Sequence, residues 1–159
     1  MIINARAGNL EVVRYLIEKG ANIHYNDNYA LRMAAQYDNL DVMMFLVERG
    51  ANIHAYNDYV LTYSSTYGNF EMVMFLVERG ADIHARNDYA LRGASVNGHL
   101  KIVKYLVEKG ANIHANNNDA FHCASINGHQ KIVKYFESII KAEKDKQTET
   151  IDIKALQEE

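Results

Sequence analysis

Apolar positions along the chain fall into pairs of short runs, each pair split by a polar break and followed by a longer polar stretch. In Tyr29 to Tyr37, YALRMAAQY, Ala30, Leu31, Ala34 and Ala35 stand at i, i+1, i+4 and i+5, the stripe of an amphipathic helix. After the break Asp38-Asn39, a second run from Leu40 to Arg49 places Val42, Met43, Phe45, Leu46 and Val47 on one side. Glu48 and Arg49 are left for solvent. The first-run columns are refilled by Val60, Leu61, Ser64 and Ser65, then Ala90, Leu91, Ala94 and Ser95, then Ala120, Phe121, Ala124 and Ser125. Small residues there let neighbouring helices approach closely. A pattern that keeps its phase through every copy predicts a stacked array of helix pairs, in which each unit buries its apolar side against its neighbours.

Turn chemistry agrees with the periodicity. Gly8, Asp38, Gly68, Gly98 and Gly128 stand at the breaks, where a left-handed residue stops one helix and starts the next. Gly20, Gly50, Gly80 and Gly110 follow the second helices in the C-cap position. Asn28, Asp58, Asp88 and Asn118 immediately precede the first helices and are predicted to be N-caps, worth about 1 kcal/mol each. His24, His54, His84 and His114 form one column. Units packed roughly 8–10 Å apart cannot bring these rings to one metal, whose ligand nitrogens sit about 2 Å away. The histidines are expected to brace the loops by bonding local backbone, and no metal or other cofactor is expected.

Helix, turn, antiparallel helix and glycine-led loop resemble one ankyrin unit. GADIHA, Gly80 to Ala85, is similar to that family's GADVNA signature, and GASVNGHLKIVKYLVEKGA, Gly93 to Ala111, to its helix-break-helix core. The resemblance covers about residues 1–140 and implies an all-α ankyrin-repeat solenoid of stacked antiparallel helix pairs joined by short projecting loops. About five repeats are present, the first lacking its loop and the last decayed. The usual unit is three residues longer and opens its inner helix with Thr-Pro-Leu-His, where Ala30-Leu31-Arg32 stands here. Proline-free short units of this kind are similar to those abundant in ankyrin proteins of giant viruses that infect amoebae. LVERGADIH, Leu76 to His84, resembles ankyrin loops modified by asparaginyl hydroxylases, with His84 in the modified column.

The two ends depart from the repeat. Met1 aligns with Leu31, so Ile2 and Ile3 lie at an edge without a preceding loop. At the other end Ile140 replaces the loop glycine, and Phe136, Ile139 and Ile140 continue the helical spacing. The last helix is predicted to reach about Lys146. Residues 141–159 are expected to form a charged tail, frayed or loosely docked from Gln147 and anchored by Ile151, Ile153 and Leu156.

A formal net charge of -3 offers no electrostatic reason to expect nucleic acid or an anionic membrane as partner. Cys123 is the sole cysteine, which rules out an intramolecular disulfide and fits a reducing compartment. With no signal-like or membrane-length apolar run, a cytoplasmic protein is expected, in the host cytoplasm if the viral likeness holds, with the nucleus also open. Cys123 beside His122 is badly aimed for a nucleophile and base on one helix, and no third group orients the base, so no enzyme is expected.

Columns shared by all copies serve packing, whereas columns that change are free for recognition. The changing loop and inner-helix positions include Arg32, Met33, Tyr37, Tyr56, Tyr63, Tyr67, Arg86 and Arg92, residue types enriched at interface hot spots. In the family resembled, these positions line the concave side. They imply a non-enzymatic adaptor that binds a protein partner there and, by the viral likeness, modulates host proteins. The chain is expected to be a monomer; the alternative is a self-assembling component joined edge to edge through Ile2 and Ile3.

Overall fold

The computed structural model describes residues 1–157, with side chains described to residue 150. Ten helices follow one another: α1 (Ile2–Arg6), α2 (Leu10–Glu18), α3 (Tyr25–Gln36), α4 (Leu40–Glu48), α5 (Ala55–Tyr67), α6 (Phe70–Glu78), α7 (Ala85–Val96), α8 (Leu100–Glu108), α9 (Ala115–Ile126) and α10 (Gln130–Gln157). Odd-numbered helices pack on one another in an inner row and even-numbered ones behind them in an outer row. The architecture is an all-α solenoid of stacked helix pairs.

Side-chain size sets the spacing of the rows. Ala30, Ala34, Ala35, Ala90, Ala94 and Ala124 are buried between inner helices, with Ser64 in the column of Ala34 and Ser65 and Ser95 in that of Ala35. Successive inner helices therefore pack far more extensively on one another than successive outer ones. Val42, Met43, Leu46, Val73, Leu76, Val103 and Leu106 bind the outer row to the inner, with relative exposures of 0–1%. Burying a side chain of this size contributes roughly 1.5–3 kcal/mol. Each unit contributes to the cohesion through the same columns.

The helix ends follow the predicted glycine logic. After α4, Gly50 takes φ 92°, its N–H bonds Val47 O at 3.0 Å, and Ala51 N–H bonds Leu46 O at 2.9 Å. This closes the last turn and launches the loop. Asp38, standing where other copies have glycine, also adopts a left-handed φ of 58°.

The loops correct the N-cap expectation. In four of them three consecutive residues are left-handed: Asn26-Asp27-Asn28, Tyr56-Asn57-Asp58, Arg86-Asn87-Asp88 and Asn116-Asn117-Asn118. Asn and Asp tolerate that region through local side-chain hydrogen bonds, which explains their dominance here. Asn28, Asp58 and Asp88 are not caps. Their side chains are buried and reach sideways to the next loop, where Asn28 Oδ1 accepts Asn52 N–H at 2.8 Å, Asp58 Oδ1 accepts Asp82 N–H at 2.9 Å, and Asp88 Oδ1 accepts Asn112 N–H at 2.8 Å. The histidine column completes the strut. His54 Nδ1 donates to Asp58 Oδ1 at 3.0 Å and His84 Nδ1 to Asp88 Oδ1 at 3.0 Å. These rings therefore bond an acidic side chain rather than the local backbone that the spacing suggested.

A second set of ties runs through the turns. His99 Nε2 donates to Thr66 O at 3.0 Å and His129 Nε2 to Val96 O at 2.8 Å, each reaching the preceding unit. Asn39 Nδ2 does the same to Ala5 O and Arg6 O at 2.9 and 2.8 Å.

At the N-terminal edge Ile3 is 80% exposed, whereas Ile2 is half-buried. At the other end α10 passes Lys146, where the sequence suggested an end, and continues as helix to Gln157. The segment 141–157 contains neither Gly nor Pro and is rich in Lys, Glu, Ala and Gln, so nothing in it stops helix propagation. The proposed anchors Ile151, Ile153 and Leu156 lie outside the described side chains, and Glu158 and Glu159 outside the described residues. No helix among the described residues is long and apolar enough to cross a membrane.

Candidate functional site

The eight recognition candidates all fall on the loops and inner helices, but the structure sorts them into distinct groups. Arg32, Tyr56 and Arg86 meet at the loop ends of three successive units. The Arg32 guanidinium lies over the Tyr56 ring at 4.3 Å and the Tyr29 ring at 4.9 Å, and its Nη2 donates to Asn26 O at 3.0 Å. Arg86 Nη2 donates to Tyr56 O at 3.1 Å. Tyr56 itself is 49% exposed and carries a φ of 56°, a conformation that a bulky side chain occupies only at a cost.

Farther along α5, Tyr59, Tyr63 and Tyr67 form an aromatic ladder at helical spacing. Tyr63 and Tyr67 stack with centroids 4.4 Å apart, and Tyr59 and Tyr63 lie 5.3 Å apart. Burial and the adjoining Tyr67 push the Tyr63 hydroxyl up to about 12. It therefore remains a protonated hydrogen-bonding group at neutral pH. Tyr67 is 59% exposed and presents the open end of the ladder. Tyr37 is 41% exposed and lies beneath the Arg6 guanidinium at 4.5 Å. Met33 is half-buried on α3.

Arg92 is engaged within the protein. Its Nη1 bonds Asp119 Oδ2 at 2.9 Å and its guanidinium lies 4.0 Å over Tyr89. Asp119 is held below its ordinary carboxyl range chiefly by this bond. Asp119 also accepts from Cys123 Sγ at 3.5 Å, and burial followed by that carboxylate pushes the Cys123 thiol up. His122 turns onto the Phe121 ring at 5.7 Å. Cys123 thus faces a carboxylate, which disfavours its thiolate.

Two participants escaped the sequence reasoning. Arg6 shares the column of Gln36, Thr66, Val96 and Ile126, where no other copy has a charge, and its contact with Tyr37 of the next unit shows only in three dimensions. Asp119 carried a legible signal, since it interrupts the column of Tyr29, Tyr59 and Tyr89. Among the described residues, no group of three or more His, Cys, Asp or Glu side chains is placed to hold a metal ion.

No curated protein matches the chain. The family model for ankyrin repeats (3 copies) matches residues 1–87 and again 61–148, overlapping through the middle of the array. Stacked helix pairs, left-handed glycine turns and ladders of loop-to-loop hydrogen bonds agree with that match, and the chain belongs to the ankyrin repeat family.

Proposed function

We propose that this protein is a non-enzymatic adaptor that binds a protein partner on its concave face of loops and inner helices. Ankyrin repeats are generally protein–protein interaction modules, which supports the class of function. What supports the site is that Tyr37, Tyr56 and Tyr67 are exposed and that, with Tyr63, Met33, Arg32, Arg86 and Arg92, they lie on the loops and inner helices. Aromatic rings supply contact area at low conformational cost, and guanidinium groups add directional hydrogen bonds. A stable complex on this side buries roughly 1,200–2,000 Å² in total. Host proteins are the proposed partners, on the likeness of the short proline-free units to viral ankyrin proteins, and the host cytoplasm is the proposed setting.

Capture experiments test the site. A chain with Tyr37, Tyr63 and Tyr67 changed to Ala is expected to fold, by circular dichroism, and to lose its partner. Undiminished capture by the folded variant places the site elsewhere. A second reading, self-assembly through the N-terminal edge, is favoured by the 80% exposure of Ile3. Light scattering that gives a monomer across concentrations removes it.

A further inference from the structure

Arg32 and Arg92 occupy the same column two units apart, and the protein treats them differently. Arg92 receives a carboxylate from the following unit, Asp119. The equivalent position after Arg32 is Tyr59, so the next unit supplies no acid. Arg32 instead lies over Tyr29 and Tyr56, with its Nε–H buried and without a partner among the described residues. Arg86, bound to the carbonyl of that same Tyr56, also has no ion pair among the described residues. The neighbouring acids do not answer either guanidinium. Asp58 is occupied by His54 and the Asp82 N–H, Asp88 by His84 and the Asn112 N–H, and exposed Asp27 forms no ion pair with either arginine. Two like charges are therefore gathered on one left-handed, half-exposed tyrosine with no counter-charge among the described residues.

We propose that the Arg32–Tyr56–Arg86 cluster is a subsite for carboxylate side chains of an acidic peptide segment in the partner. The inference rests on the protein-binding function proposed above and specifies the chemistry of what is bound. The aromatic and carbonyl contacts hold both guanidinium groups in position before binding, so a carboxylate meets donors that need little further ordering. The Arg92–Asp119 pair is the protein's own example of the contact. Tyr56 can cover the aliphatic part of an incoming Glu while the flanking arginines bond its oxygens.

The test is fluorescence anisotropy with the full chain and a fluorescein-labelled oligoglutamate at low ionic strength. Saturable binding is expected, weakened about tenfold or more by R32Q/R86Q and largely retained by R32K/R86K. K131Q/K134Q, on α10, is expected to leave it unchanged. Binding that is absent, or equal in folded R32Q/R86Q, overturns the proposal. So does equal displacement by single-stranded oligothymidylate, which marks a general polyanion surface. Should R32Q impair folding, exposed R86Q alone carries the test, with a severalfold loss expected and no loss overturning the proposal. A captured partner that tolerates R32Q/R86Q but is lost with the Tyr37, Tyr63 and Tyr67 substitutions keeps the concave site and sinks the acidic occupant.

Discussion

Asp58 accepts the backbone N–H of Asp82 at 2.9 Å while lying 4% exposed, so one buried carboxylate joins two successive loops. It also receives the His54 Nδ1–H at 3.0 Å. Removing it leaves both donors without their acceptor. Asp58→Ala is expected to destabilise the array by about 1–2 kcal/mol, the loss of hydrogen bonds to a charged acceptor whose donors are partly open to water. Asp58→Asn keeps an acceptor, as Asn28 does in the preceding unit, and is expected to cost clearly less. Urea unfolding of the two variants measures the difference, and equal losses would show that the strut does not depend on the acceptor.

Tyr56 and Arg86 hold left-handed φ values of 56° at a loop position where other copies have Asn26 and Asn116. Left-handed backbone costs an ordinary L-residue roughly 1–2 kcal/mol, less for Asn. Tyr56→Asn and Arg86→Asn are each expected to stabilise by up to about 1 kcal/mol after loss of their side-chain contacts, while weakening partner capture. Thermal unfolding and capture on the same samples check both signs together.

Gly93 lies against Thr66 of the preceding unit so closely that an added Cβ would collide with Oγ1, which is itself donating to Thr62 O at 2.8 Å. Alanine in a helix is about 1 kcal/mol better than glycine, but overpacking costs roughly 1–3 kcal/mol. Gly93→Ala is expected to destabilise by about 1 kcal/mol in the native sequence and to stabilise by about that amount once Thr66→Ala has made room. A double-mutant cycle from denaturant unfolding reads the reversal, and additive effects would mean that the two residues do not compete for space.

His114 Nε2 bonds Glu143 Oε2 at 2.9 Å, tying α10 to the last loop, and Asn118 holds the other ring nitrogen at 2.7 Å. The Glu143 bond, then the Asn118 bond, raise the His114 pKa above its ordinary value. A raised folded-state value means that the contact contributes fully below the unfolded pKa, near 6.5, and fades as pH rises through the folded value. Both side chains are nearly half exposed, so its worth is at most about 1 kcal/mol. An NMR titration is expected to show His114 shifted upward in the native chain and moved down in E143Q. An unchanged midpoint would remove the clasp.

The fold was legible because the repeat states its packing code several times over, so that columns such as Ala34, Ser64, Ala94 and Ala124 expose what one helix pair would hide. The loop acids depart from the N-cap expectation for a physical reason. A side chain just before a helix is usually its cap, and only three-dimensional juxtaposition shows that left-handed backbone turns Asp58 toward the following loop instead. Of the candidate face, residue types and columns could be read, but not which arginine was already neutralised. Arg32 and Arg92 look equivalent until Asp119 is placed beside one and Tyr59 at the matching position of the other. α10 runs past the end expected near Lys146 because its charged segment contains no helix-stopping residue.

The turn ties described above are interrupted at one place. Asn69 directs its side-chain amide to Met72 within its own unit at 3.9 Å, whereas Asn39, His99 and His129 each grip the unit before. The inner helices α3 and α5 also adjoin less extensively than α5 and α7. Under tension applied to its two ends, the array therefore has one turn tie fewer at that junction, which is left to the Asn28–Asn52 loop strut and to helix packing.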